Sequence, residues 1–238
     1  MANNFHKYTI TEEDMEFFYS DAARGLRLQV DYLKAEERMK KEGIYHTIVV
    51  FGSARIPEDD RHYKEARKFG SLVGQSGKGP EDCRVTLMTG GGPGIMEAAN
   101  RGANDVGAKS IGLNITLPHE QFPNPYISKG LAFQFYYFGI RKLHFIQRAK
   151  ALIIFPGGFG TLDEVFDILT LVQTGKTAMI PIVFIDKYYW NNVINFEFLL
   201  KKGMIKEKDL KLFSYAEVAD EAWEYIVNWY EEREINIF

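Results

Sequence analysis

Apolar residues recur at steps of three or four along the first part of the chain: Met15, Phe18, Ala22, Leu26, Val30 and Leu33. That spacing makes one apolar face and predicts a single long helix over residues 11–42. Thr11 stands at its start with Asp14 three positions on, an imperfect capping box, and Gly43 ends it. Beyond Gly43 the pattern changes to short continuous apolar runs. These predict strands over residues 46–51, 85–88, 109–115, 131–137, 151–155 and 180–185, the last being the final strand. Helical stretches fall between and after them, over 63–75, from Pro93 at a first helical position to about 106, over 139–150, from the second glycine turn to about 174, and over 215–233. Residues 117–129 carry Pro118, Pro123 and Pro125 and are read as irregular.

Strands that alternate with helices and are apolar on both faces mean a parallel sheet covered on both sides. The expected fold is α/β: a Rossmann-like, doubly wound parallel sheet with helices on both faces and an added N-terminal helix. Residues 1–43 are then a helical extension and 44–238 the Rossmann-like domain. The extra helix must lie across that domain or pack on a second subunit.

Two strands run straight into glycine-rich turns, Gly90-Gly91-Gly92-Pro93-Gly94 and Pro156-Gly157-Gly158-Phe159-Gly160-Thr161. Each turn opens a helix, so bare backbone N–H groups and a helix N-terminus meet at a strand end twice. That geometry holds anions, phosphate above all. Ligands of such sheets sit beyond the carboxyl ends of the strands, where Ser53-Ala54-Arg55 also falls. The second turn brings the acid Glu164 to the same rim.

Bulk properties narrow the partners. The 238 residues carry a formal charge of −3 with signs interspersed, which argues against a nucleic-acid surface. The single cysteine, Cys83, permits no internal disulfide and fits a reducing cytoplasm. The first residues lack the pattern of a secretory signal, and no apolar stretch approaches the roughly 18–20 residues of a membrane span. A dinucleotide fingerprint would need a third glycine where Glu97 stands, and an acid at the end of the next strand, which reads Asn114-Ile115-Thr116. A Walker A loop would need a glycine that both Gly77-Lys78 and Gly175-Lys176-Thr177 lack. A monophosphate is the simpler ligand.

Pro156-Gly157-Gly158-Phe159-Gly160-Thr161-Leu162-Asp163-Glu164 resembles the P-G-G-x-G-T-x-x-E motif of the LOG family. The run from Gly90 to Asn100 and Phe51-Gly52-Ser53-Ala54-Arg55 resemble its other motifs, in order and separation. The likeness spans about Thr47 to Ile185. Members are cytokinin riboside 5′-monophosphate phosphoribohydrolases, some acting on AMP, and many are mislabelled lysine decarboxylases. The resemblance implies cleavage of the N-glycosidic bond of a nucleoside 5′-monophosphate, with Arg141 and Glu164 as the catalytic pair. It implies a substrate-binding set of Gly52, Ser53, Arg55, Gly91, Gly92, Gly94, Glu97, Lys142, Gly157, Gly158, Phe159, Gly160 and Thr161. It implies no metal and no cofactor. The long N-terminal helix is similar to that of the type II branch, so the partners implied are a nucleotide and further copies of the chain, as a dimer or hexamer.

The residues alone leave alternatives open. Thr161 to Glu164 also reads as a capping box, and Asp163 and Asp167 as complements of the helix dipole. Arg141 and Lys142 near a helix start oppose that dipole, yet exposed arginines are common. Arg55 either touches ligand or makes a loop salt bridge. Phe135, Tyr136, Tyr137 and Phe138 either stack on a base or fill the core. His144 has no partner at metal-ligand spacing, and Gly175-Lys176-Thr177 is most simply a helix end. No lysine is placed by a recognisable motif for a Schiff base. The expectation is a cytoplasmic nucleoside 5′-monophosphate phosphoribohydrolase, with a non-catalytic nucleotide-binding or carrier protein of the same fold as the alternative.

Overall fold

The computed structural model describes residues 9–79, 81–82, 84–116 and 122–237. Cys83 and Pro118 lie outside the described residues. The N-terminal segment forms α1 (Glu12–Tyr19) and α2 (Arg24–Lys41), joined by a short 3-10 turn at Asp21–Ala23. Thr11 and Asp14 do make the reciprocal capping box of α1. The expected single helix over 11–42 is broken at Ser20. Its backbone is extended there (φ −68°, ψ 162°), and Arg27 Nη1 donates to the carbonyls of Phe18 and Ser20 at 2.6 Å each. Carbonyls taken by a side chain are lost to the helix ladder, so the chain turns. Gly43, at φ +72°, ends α2 as its conformational freedom allows.

The remainder alternates: β1 (His46–Phe51), α3 (Arg61–Gly74), β2 (Val85–Thr89), α4 (Ile95–Asp105), β3 (Ser110–Ile115), β4 (Ala132–Phe135), α5 (Phe138–Gln147), β5 (Ala149–Ile154), α6 (Phe159–Gln173), β6 (Ile182–Ile185), α7 (Lys187–Val193), α8 (Phe196–Lys201), β7 (Ser214–Ala216) and α9 (Ala219–Glu231). A 3-10 turn at Glu207–Leu212 precedes β7. All seven strands are parallel in the order β4-β3-β2-β1-β5-β6-β7. This is a Rossmann-like α/β fold. Residues 180–185 are not the last strand. Ser-Tyr-Ala of β7 is too short and too polar to show as an apolar run, and it pairs at the sheet edge with Val183–Ile185. The closing helix therefore begins at Ala219, not 215. Nor is Pro93 a first helical position: Gly94 is the N-cap of α4. At the end of α5 the chain is already in β5 at Ala149.

Side chains alternate across the sheet and fill two cores. Val49, Phe51, Met88 and Ile111 face Phe145 of α5, Val165 and Ile168 of α6, Trp190 of α7, and Ala35 and Met39 of α2. Ile48, Val50 and Leu87 face Phe69 of α3, Ala98 and Ala99 of α4, and Ile226 of α9. Helices thus cover both faces. Met15, Leu26 and Leu33 of the expected apolar face remain 41–47% exposed, and α2 docks through Ala35 and Met39 instead.

The topology decides where a ligand sits. From β1 the chain winds outward through β2, β3 and β4, then returns to the other side of β1 with β5. The winding reverses at the carboxyl end of β1, the position where open α/β sheets leave a crevice. The turns after β2 and β5 flank it.

Candidate active site

The crevice is a cavity of about 720 Å³, within the usual range for small-molecule sites. From the first strand's turn it is lined by Gly52, Ser53 and Arg55, and from the first glycine turn by Gly90 and Gly92. Gly157, Gly158, Phe159, Gly160 and Thr161 line it from the second turn, with Glu164 on α6 and Arg141 on α5. The expected residues Gly91, Gly94, Glu97 and Lys142 are not on its wall. Gly94 sits where a Cβ would lie 2.4 Å from the Ser53 carbonyl oxygen, so it lets α4 abut the first turn. Gly91, at φ +74°, leaves room for the Asn114 side chain, whose Oδ1 would be 2.1 Å from a Cβ there. Glu97 accepts from the Tyr63 hydroxyl at 3.0 Å. Lys142 Nζ lies 2.9 Å from Asp163 and 3.7 Å from Asp167, in a shallower neighbouring hollow. Burial opposes its charge, but that pairing, with Glu164 adding its field, holds its pKa above the ordinary lysine value.

The second turn presents donors. Gly158 is the N-cap of α6 and the Leu162 amide bonds back to its carbonyl at 3.0 Å. The first-turn amides of Phe159, Gly160 and Thr161 have no partner within the helix. Thr161 is therefore the third helical residue, not a cap, and Glu164 closes no capping box. The Gly157 carbonyl accepts from the Tyr189 hydroxyl at 3.0 Å. Tyr189 itself lines the cavity. It is aimed by Asp186, in a left-handed conformation at φ 71°, whose side chain accepts from the Tyr189 amide at 2.9 Å.

Glu164 is buried (5% exposed) and receives a hydrogen bond from Arg141 Nη2 at 3.3 Å. The guanidinium lies over the rings of Phe138 and Phe145, 5.4 and 5.5 Å from their centroids. Desolvation raises the Glu164 pKa above the ordinary glutamate value, against the lowering pull of Arg141 and Lys142. A carboxylate so placed is chemically poised and faces a space large enough for a nucleotide. Arg55 is exposed, on the wall, and in no ion pair among the described residues.

The first turn rests on a buried polar network that sequence reasoning missed. Asn124 Nδ2 donates to the carbonyls of Gly91 (3.2 Å) and Gly92 (3.1 Å) and to Asn100 Oδ1 (3.0 Å). Thr89 also donates to Asn100 Oδ1, at 2.7 Å, and Asn100 Nδ2 reaches Ser110 Oγ at 3.0 Å. The only sequence signal was two asparagines, one in a helix and one between prolines. The aromatic run divides: Phe135 is core, Phe138 lines the cavity, Tyr136 is 71% exposed, and Tyr137 accepts from Arg27. His144 is buried, stacked on Tyr32. Gly175, at φ +69°, does end α6. Among the described residues no three His, Cys, Asp or Glu side chains converge as metal ligands, and no helix is long and apolar enough to cross a membrane.

Solved structures share the fold. The protein TM1055 aligns over 77% of this chain and 99% of its own at 18% identity, with a TM-score of 0.54. A Moco carrier protein from Chlamydomonas reinhardtii aligns over 79% and 98% at 19% identity and a TM-score of 0.53. A molybdenum cofactor binding protein from Rippkaea orientalis gives 76% and 94%, 19% and 0.51. In sequence, the chain is 30% identical over 82 residues to a probable cytokinin riboside 5′-monophosphate phosphoribohydrolase of Oryza sativa subsp. japonica. That stretch spans 34% of this chain and 36% of the rice protein. Residues 96–226, more than half of the chain and including Arg141, the second glycine turn and Glu164, match the family model described as possible lysine decarboxylase, and the chain belongs to this family, the LOG family.

Proposed function

We propose that this chain hydrolyses the N-glycosidic bond of a nucleoside 5′-monophosphate, AMP or an N6-modified AMP such as a cytokinin nucleotide, to free base and ribose 5-phosphate. The observation that carries the reading is the buried Arg141–Glu164 pair on the wall of a cavity floored by glycine turns. The 5′-phosphate is held by the amides of Phe159, Gly160 and Thr161 at the positive end of α6, with Arg55 as a counter-charge. Gly52, Ser53, Gly92, Gly157 and Gly158 shape the floor, Gly91 and Gly94 let its turns pack closely, and Glu97 and Lys142 stand off the wall, bonded to Tyr63 and to Asp163. Anchoring the phosphate orients the ribose toward Glu164. As the C1′–N bond breaks, positive charge grows on the sugar, and an ionised Glu164 faces it, as a carboxylate does in glycoside hydrolysis. Water adds to C1′, its proton is released, and the base leaves with the bonding electron pair and takes up a proton. Arg141 keeps Glu164 ionised and in place.

The family description raises a decarboxylase, whose usual cofactor, pyridoxal phosphate, is held through a lysine. The residues here do not fit it: no lysine lines the cavity, and Lys142 is turned to Asp163 and Asp167. The activity for which the rice relative is named agrees with the proposal. The two solved neighbours named for molybdenum cofactor binding and carriage support a second reading, a nucleotide-binding or carrier protein without turnover. Exposed apolar side chains on the cavity wall, Phe138 and Phe159, with Phe166 in the neighbouring hollow, support association of copies across the site.

Incubation with AMP, following adenine and ribose 5-phosphate, separates the readings. Both products, lost in Glu164→Gln, support the hydrolase. Thermal stabilisation by AMP without product supports the carrier.

A further inference from the structure

We propose that Asp31, on the N-terminal helix α2, is a positioning residue for Arg141; this rests on the catalytic reading of the Arg141–Glu164 pair. The Asp31 carboxylate reaches from α2 to the start of α5. Its Oδ2 accepts from the backbone N–H groups of Tyr136 and Tyr137, each at 3.0 Å. Tyr137 is the N-cap of α5, and no side chain of its own makes a cap there. The Arg141 amide donates to the Tyr137 carbonyl at 3.2 Å. The residue that Asp31 grips is thus the one from which the Arg141 backbone hangs.

Arg141 has little else to fix its guanidinium. Its bond to Glu164, at 3.3 Å, is long for a charge-assisted one. Its Nε is buried with no partner among the described residues. The rings beneath it, Phe138 and Phe145, belong to α5 itself. Such a group goes where its helical turn goes. A first turn lacks intrahelical partners for its amides, and here Arg141 and Lys142 add two cations near the positive end of the helix. Asp31 addresses both, accepting from the amides of Tyr136 and the N-cap Tyr137 and placing negative charge at that end. The rest of α2 grips the rest of α5. Tyr32 O lies 3.2 Å from His144 Nε2, the Tyr32 hydroxyl donates to Gln147 at 3.1 Å, and Arg148 donates to Glu36 at 2.6 Å. Those contacts fix the body and end of α5, whereas Asp31 fixes the turn that carries Arg141.

The test uses the full chain with AMP as substrate, in Asp31→Ala and Asp31→Asn, each alone and combined with Arg141→Lys. Asp31→Ala is expected to lower kcat about tenfold or more while KM changes less than about threefold. The acid limb of the kcat–pH profile moves up, because a displaced Arg141 no longer favours the charged form of Glu164. Asp31→Asn keeps an acceptor oxygen and recovers part of the loss. With Arg141→Lys in place, removing Asp31 costs about twofold or less, the non-additivity of a shared path. An unchanged kcat and acid limb, or the same loss whether or not Arg141 is present, overturns the proposal. Should Asp31→Ala not fold, Asp31→Asn carries the same readouts. If the wild type releases no adenine, the catalytic reading has failed. Asp31 is then judged by the titration of a carbon-13-labelled Glu164 carboxyl, which must move to higher pH in the variant; no movement overturns it.

Discussion

Arg141 and Glu164 come from consecutive helices, α5 and α6, that pack into the same core, and they meet at 3.3 Å with side chains only 14% and 5% exposed. Each makes the other tolerable in a desolvated wall, and neither has another ion-pair partner among the described residues. The pair is therefore more than a surface bridge, for which the net effect is close to nothing. Glu164→Gln keeps the shape and removes the charge. It is expected to lower kcat/KM for AMP by at least about 10²-fold, the scale of losing a charge aimed at a transition state. AMP binding, read by thermal shift, changes little. Turnover within about threefold of wild type rejects the assignment.

Glu164 also sets a pH dependence. Desolvation raises its pKa in the folded chain above the ordinary glutamate value, and the proposed reaction needs the ionised form. The acid limb of kcat/KM is thus expected above the ordinary glutamate range. Stability linked to this carboxyl is fully present below its unfolded pKa and is lost as pH rises through the higher folded one. Denaturant unfolding of wild type and Glu164→Gln across pH 4 to 8 checks this. The variant gains relative stability as pH rises, and a parallel pair of curves counts against a raised pKa.

The two cores and the central strands were legible because burial on both faces writes continuous apolar runs such as Thr47 to Phe51. The glycine turns were legible because their conformation excludes most side chains. Three things were not. The break at Ser20 depends on Arg27 turning back to two carbonyls, a contact with no periodic trace. Strand β7 draws its partner from the sheet edge, so its three residues need no apolar pattern. Tyr189 reaches the site through the left-handed Asp186, in a region where no element was read. Of the site, the residues alone left Glu164 undecided between helix cap and site, and the family likeness supplied only the expectation of a catalytic role. The start of α6 at Phe159 removes the cap, because Thr161 already lies inside the helix.

Glu36 and Arg148 form a second buried pair, both side chains 8% exposed and 2.6 Å apart. Lys40 also lies 3.2 Å from Glu36. Removing one partner of a buried pair leaves an uncompensated charge, a cost of about 3–5 kcal/mol in dry sites. Lys40 and some solvent reach Glu36, so Glu36→Ala is expected to cost about 2–3 kcal/mol. Because the pair pins α2 to the end of α5, activity at low temperature persists. Urea unfolding measures the first expectation, and an AMP assay below the new midpoint checks the second.

The first glycine turn makes a sharper case, since its geometry rests on two asparagines that never touch the cavity. Asn124 holds the carbonyls of Gly91 and Gly92, and Asn100 ties Asn124 and Thr89 to Ser110 on β3. Asn100 is fully buried, so Asn100→Leu removes its bonds to Thr89, Ser110 and Asn124 at once, leaving Thr89 the Gly91 amide, Ser110 the Tyr126 carbonyl and Asn124 the two glycine carbonyls. Each buried hydrogen bond lost costs about 1 kcal/mol. A net loss of about 3 kcal/mol is expected, or roughly 6–12 °C in Tm for a chain of this size. Asn124→Ala acts closer to the site. It removes the side-chain hold on both carbonyls, leaving Gly91 only the Asn124 backbone amide at 2.9 Å and Gly92 none among the described residues, so the loop is held less firmly for a ligand. Its cost in stability is expected to be the smaller, and its cost in nucleotide affinity the larger, with Kd for AMP up about tenfold. Calorimetry of both variants with and without AMP separates the two effects. The same affinity loss in both would mean that the network supports the core as a whole and not the turn.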